Sequence, residues 1–173
     1  MLFFLKKGYI IKSIPFLITI LVISISSTIH PPQGYGMTNP FIPLVCIVYW
    51  LLLQEEVLGI FHFFIIGIYT DLILGSPLGG YLLLFTILKY ISFKLKRKFL
   101  INSFLKNIVA ALFLIIIFYL INNLFLMIYY TMFVFSEFFV LNIMSTILLY
   151  PVIAVIFNWI YKNVEMKKYY AET

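Results

Sequence analysis

The only aspartate in this chain, Asp71, sits inside the apolar run Gly67 to Gly79, GIYTDLILGSPLG. A carboxyl group in such surroundings either takes part in chemistry or is held by hydrogen-bond donors, because burying it without partners is costly. Acid–base work needs a second group, and the sequence places none beside it. His62 lies about two and a half turns away on the same predicted helix, on a different face. His30, His62, the single Cys46 and a few scattered acids have no metal-ligand spacing. Glu137 falls in a separate loop, and no serine–histidine pair shares a face. No catalytic centre, metal site or cofactor is therefore expected. His62 reads as a hydrogen-bonded packing residue, and Cys46, with no partner for a disulfide, as a small core residue.

The elements around Asp71 are apolar throughout. Hydrophobic residues make up 64% of the 173 positions and charged residues 10%, with a mean hydropathy of +1.12. The apolar runs are continuous rather than alternating, so the expected class is all-α, a polytopic integral membrane protein, and not a barrel. Spans are read at about 13–29, 41–53, 57–74, 78–93, 107–130 and 138–161, forming one transmembrane domain over 1–173. The second is short, rising only ~20 Å against a hydrocarbon core of ~30 Å, so a re-entrant segment is the alternative.

Basic residues decide between these two. Lys6, Lys7 and Lys12 precede the first span, Lys94, Lys96, Arg97, Lys98 and Lys106 follow the fourth, and Lys162, Lys167 and Lys168 follow the sixth. Six crossings put all three clusters on one face, which the positive-inside bias makes cytoplasmic. Both termini are then cytoplasmic and the chain belongs in the plasma membrane. Tyr49 with Trp50, Tyr90, and Trp159 with Tyr161 fall near cytoplasmic ends, and Tyr129 and Tyr130 near an outer end, as interfacial belts do. The net charge of +6 then lies beside anionic headgroups; membrane lipids are expected contacts and nucleic acid is not. The lysine-led start is read as a retained first helix rather than a cleaved signal. No internal repeat or soluble module is evident, so any energy or chemistry that the work needs is expected from a partner. The loop 30–40, HPPQGYGMTNP, is the exposed candidate for touching an outer partner, a plain connection being the simpler reading. Gln54, Glu55 and Glu56 mark a wet cytoplasmic turn.

Gly59, Phe63, Gly67, Asp71 and Gly75 recur every fourth residue and form a slowly winding stripe. Glycines there admit a second backbone, and a tight contact between helices explains them without a wider role. Ser76 is read as the N-cap of the fourth helix and Pro77 as its first residue, leaving the amides around Leu78, Gly79 and Gly80 free for Asp71. Asp71 is thus expected to lock the hairpin between the third and fourth helices, alone or with Asn122 or Asn123. Lys89 is a less suitable partner for it, being close enough to the basic loop to snorkel to cytoplasmic headgroups. Asn142 and Asn158, with Asn122 and Asn123, serve as interhelical hydrogen-bonding residues or line a polar cavity, and Pro151 is expected to kink the last helix.

The order of these features resembles the MreD family of bacterial rod-shape-determining membrane proteins. The likeness runs from Pro40 to Gly80: Pro43 and Leu44 lead to Tyr49 and Trp50, then Gly67-x-x-x-Asp71-x-x-x-Gly75-Ser76-Pro77-Leu78-Gly79 precedes a basic loop. The resemblance implies a six-helix transmembrane bundle like the substrate-binding subunits of energy-coupling-factor transporters. It also implies a non-catalytic role beside MreC in the elongation machinery that links MreB to peptidoglycan synthesis by RodA and its transpeptidase. Gly59, Gly67, Asp71, Gly75, Ser76, Pro77 and Gly79 would then either shape the bundle or dock a partner's helix. The alternative function is a vitamin-binding subunit of such a transporter; its usual Ala-x-x-x-Ala docking stripe is missing from SIPFLITILVISISSTI, which has no alanine.

Six crossings carry the tip around Ser76 to the outer face. A membrane-impermeant thiol reagent applied outside intact cells should label a cysteine introduced there, and labelling from the cytosolic side alone contradicts the topology.

Overall fold

Six α-helices and no strand occur among the described residues, 2–28, 40–53, 58–99, 104–130 and 138–169 of the computed structural model; side chains are described over 15–28, 40–53, 58–97, 106–130 and 139–160. The helices are α1 (Leu2–Thr28), α2 (Ile42–Leu53), α3 (Ile60–Leu74), α4 (Gly80–Phe99), α5 (Phe104–Tyr130) and α6 (Phe138–Tyr169). Six is the number the apolar runs predict, but α1 and α6 extend well past the apolar parts. Lysines stop a membrane span without stopping a helix, since lysine is a good helix former. The loop 30–40 except Pro40, the turn at Gln54, Glu55 and Glu56, and Glu137 lie outside the described residues, as do the side chains of Lys6, Lys7, Lys12, Lys98, Tyr161, Lys162, Lys167 and Lys168.

Two apolar stretches are long enough to cross a membrane by length and composition, Lys106–Tyr130 and Phe139–Ile160. Shorter ones are Pro15–Thr28, Ile42–Leu53 and Ile60–Leu74. The shortest helix is also the most enclosed. α2 packs against α1, α4, α5 and α6, and every residue from Pro43 to Leu52 is buried. Around it, α3 packs on α1 and α4, α4 on α5, and α5 on α6. The surrounding helices each present a bare apolar face, for example Leu17, Leu21 and Ile25 on α1, Phe61 and Leu72 on α3, and Leu148 and Val155 on α6.

Local sequence explains how α2 starts. Pro43 falls in its first turn, where a backbone N–H would have no helical partner, and the Ile42 and Leu44 amides bond to the Pro40 and Phe41 carbonyls. The Phe41 amide donates to Thr146 Oγ1 on α6 at 3.2 Å, and the Thr146 hydroxyl also meets Tyr119 Oη of α5 at 2.8 Å and the Asn142 carbonyl at 2.7 Å. Thr146 has one hydrogen to give. If it goes to the Asn142 carbonyl, Tyr119 is the donor in their contact. Above this polar knot the Phe41 ring stacks on Phe118 at 5.6 Å and leans on Tyr81 at 5.4 Å, which ties α2 to α4 and α5.

Enclosure of α2 overturns one expectation. Tyr49 and Trp50 are not interfacial anchors: they are 2% and 1% exposed, with Trp50 stacked on Phe157 at 5.4 Å and Tyr49 meeting the same ring edge-on at 5.3 Å. An interfacial belt requires a helix that faces outward, and α2 faces only its neighbours. Tyr90, Tyr129, Tyr130 and Trp159, on outer helices, are exposed. Pro151 lies within α6, which continues through it.

Trp50→Ala should lower the unfolding free energy in detergent by about 3–5 kcal/mol, as large aromatic truncations in packed cores do. Phe61→Ala, on the bare face of α3, should change it by less than ~0.5 kcal/mol. Equal effects would mean that α2 is not the packed centre.

Candidate functional site

Asp71 occupies the last turn of α3 and is 1% exposed. Its backbone and its side chain do different jobs. The backbone carbonyl ends α3: it accepts the amide of Gly75, and that of Ser76 at 3.1 Å. Gly75 makes this possible by adopting φ 64°, ψ 26°, the left-handed conformation that closes helices and that glycine enters without a Cβ penalty. The carboxyl group then reaches across to the next helix. Oδ1 accepts the Ser76 hydroxyl at 2.7 Å and the Tyr81 amide at 2.8 Å, and Oδ2 accepts the Gly79 amide at 2.8 Å.

These bonds revise how α4 begins. Ser76 is not its N-cap and Pro77 is not its first residue, because 77–80 form a turn in which the Gly80 amide bonds to the Pro77 carbonyl at 3.0 Å. Gly79, at φ 96°, precedes the first helical residue, Gly80. It carries no side chain to cap the helix. Asp71 supplies the missing cap from the preceding helix, taking the amide of the second helical residue as a local Ser or Asp would. No bond from Asn122 or Asn123 reaches Asp71 among the described residues.

The glycines of the stripe have separate tasks. A Cβ on Gly67 would collide with Leu82 Cα and lie 2.9 Å from its backbone nitrogen, so α4 crosses α3 backbone to backbone at this point. The groove that Gly67 offers is thus filled by this chain's own α4. Gly59 is the N-cap of α3, and a Cβ there would make only an ordinary 3.5 Å contact with His62. Gly75 and Gly79 have nothing within 4 Å of a built Cβ and are set by their backbone angles. Gly80 faces Phe125 of α5, whose Cε1 would lie 3.0 Å from a Cβ built there.

A second tie joins α3 and α4 at the far end. Lys89 does not snorkel away; its Nζ donates to the Leu58 carbonyl at 2.8 Å and lies 4.9 Å from the centre of the Phe63 ring. That carbonyl sits just before α3 and is within reach of the amine, which makes a bond inside the protein possible. His62 packs edge-on against Phe16 of α1 at 5.0 Å, but Nδ1 makes no hydrogen bond, so only the packing half of its expected role is seen. Ser24 and Tyr69 link α1 to α3 through a 2.7 Å hydroxyl contact. Cys46 is buried. Among the described residues no three His, Cys, Asp or Glu side chains come together. Asn158 is exposed, and Asn122 and Asn123 are half-buried.

Tyr81, which nothing in its residue type singles out, joins the hairpin to the core. Its amide binds Asp71 while its ring touches Phe41, Phe85 and Phe118. Its contribution is through a backbone N–H, which residue type does not report. Chemically the arrangement fixes a hairpin: every group on the Asp71 carboxylate oxygens is a hydrogen-bond donor.

A helical bundle with bare apolar faces and a carboxyl-locked hairpin belongs to the membrane-associated, all-helical class. Residues 9–160 match the family model described as rod shape-determining protein MreD, and the chain belongs to that family. No curated protein and no solved structure matches it.

Asp71→Ala, which strips three donors of their acceptor, should destabilise the protein in detergent by roughly 3 kcal/mol or more, and Ser76→Ala by about 1 kcal/mol. Gly67→Ala should cost more than Gly59→Ala, since only the former forces α3 and α4 apart. Thermal midpoints that fail to follow this order would remove Asp71 and Gly67 from the centre of the hairpin.

Proposed function

We propose that this protein is a non-catalytic, six-crossing component of the bacterial cell-elongation machinery, binding MreC and helping to couple MreB to peptidoglycan synthesis by RodA and its transpeptidase. The observation that carries the proposal is the family match over residues 9–160; shape determination is the role of that family. The bare apolar faces of α1, α3, α5 and α6 support insertion in the plasma membrane, because soluble monomers rarely leave such surfaces open. With both termini cytoplasmic, the hairpin tip lies at the outer face and the basic end of α4 at the inner one. α2 crosses inside a jacket of other helices, so its 12 residues need not match the hydrocarbon thickness.

On this reading Gly67, Asp71, Gly75, Ser76, Pro77 and Gly79 lock the outer hairpin, with Gly59 starting its first helix. The lock supports function by presenting a rigid α3–α4 pair to neighbouring helices. A six-helix arrangement like that of energy-coupling-factor substrate-binding subunits is part of the proposal; the vitamin-transport alternative has no observation in its favour.

Purification of the tagged full-length chain from its native membrane in mild detergent should bring MreC with it, and depletion should turn rod-shaped cells round. Recovery of a transporter ATPase pair in place of MreC would overturn the proposal. Asp71→Ala should reduce MreC recovery several-fold, and Ser76→Ala less.

A further inference from the structure

The fourth helix outruns the third. Lys89 bonds to the Leu58 carbonyl just before α3 begins, yet α4 continues to Phe99, a further ~15 Å with no α3 beside it. On this overhang Tyr90 and Phe93 are 59% and 43% exposed, and Lys94 and Arg97 are exposed as well. Spacings of three and four place these residues on adjoining turns of one side.

Both cations lie back along the helix, in the ordinary direction of helical side chains. Lys94 Nζ lies 4.6 Å from the centre of the Tyr90 ring, and the Arg97 guanidinium carbon 5.1 Å from that of Phe93. Each charge is therefore turned back by about one helical turn, away from the end of α4. The depth of the charges can be read from the neighbouring helix. Phe85 stacks on Phe118 at 6.0 Å and Gly80 faces Phe125, which sets the antiparallel register of α4 and α5. Extending that register puts Tyr90 and Phe93 roughly level with 110–115 of α5, more than a turn from Lys106 and within a helix apolar enough to cross a membrane. Among the described residues neither Lys94 nor Arg97 has a carboxylate partner.

We propose that Tyr90, Phe93, Lys94 and Arg97 form a binding site for the phosphate group of an anionic phospholipid in the inner leaflet. Arg97 presents a planar fork suited to two phosphate oxygens, Lys94 adds a point charge, and the two rings face the upper acyl chain and glycerol region. An exposed aromatic surface at this depth favours a lipid over a soluble anion. The site rests on the membrane orientation proposed above.

The test uses the delipidated full-length protein in detergent, given equal amounts of phosphatidylglycerol and phosphatidylcholine, with retained lipid read by native mass spectrometry and thermal midpoint. Phosphatidylglycerol should be retained about tenfold or more over phosphatidylcholine at low salt, a preference that two interfacial cations supply. The double variant Lys94→Gln, Arg97→Gln should lose that preference while keeping its weak phosphatidylcholine retention and helical content, and Tyr90→Leu with Phe93→Leu should reduce it. Equal retention of both lipids by the wild type, or an unchanged preference in the double variant, overturns the inference. Stabilisation by soluble glycerol phosphate as large as that by the lipid also overturns it, by assigning the site to a free anion. Release of the protein from native membranes by alkaline extraction removes the membrane reading and this site with it, whereas an embedded protein that retains both lipids alike removes this site alone.

Discussion

Backbone amides at the start of a helix need an acceptor, and in an apolar bundle that need falls on Asp71. Its carboxyl oxygens take the Gly79 and Tyr81 amides and the Ser76 hydroxyl, while its carbonyl closes the helix to which it belongs. One residue thereby ends α3 and starts α4. The turn between them has no other side chain able to cap α4, since Gly79 stands at the cap position. Two helices joined by so short a turn leave unpaired amides in low dielectric unless something answers them, and an unanswered amide costs a large part of a small protein's stability.

Consequences run inward from that bond. Holding the Tyr81 amide fixes where α4 begins, and so where the Tyr81 ring meets Phe41 of α2 and Phe118 of α5. One turn back along α3, Gly67 lets the α4 backbone approach within contact distance at Leu82, and at the opposite end Lys89 ties α4 to the chain just before α3. The pair is thus held at its tip, near its crossing and at its base. α2 packs on the α4 side of this pair and on α1, α5 and α6, which accounts for a helix too short to span hydrocarbon yet buried along nearly its whole length. Its start is held by Thr146 and its end by the Trp50–Phe157 stack.

With these polar groups held in internal ties, the bundle presents mainly apolar and basic surfaces. Apolar faces on the outer helices offer lateral contacts in a membrane, and the basic aromatic overhang of α4 offers a charged one. This division suits a family described as rod shape-determining.

Much of the architecture was legible in the residues. Continuous apolar runs interrupted by Pro, Gly and charge gave six helices, and Asp71 among glycines pointed to a hairpin because few residues tolerate that combination of burial and turn geometry. The segment Gly67 to Gly79 also carried the family likeness. Residue types misled where a neighbour, rather than the local sequence, determined the surroundings. Tyr49 and Trp50 have the composition of an interfacial pair and became core because four helices surround α2. Ser76 has the composition of an N-cap, yet its hydroxyl turned to Asp71, because Gly79 and Gly80 moved the helix start along the chain. Lys89 found a carbonyl on a different segment instead of a headgroup. Periodicity and turn chemistry are local, so the sequence alone determined the helices, their order and the position of the hairpin. Which side chain meets which backbone group depends on the register between helices, and only tertiary packing decided that, because each such contact is made between segments that the chain brings together after they form.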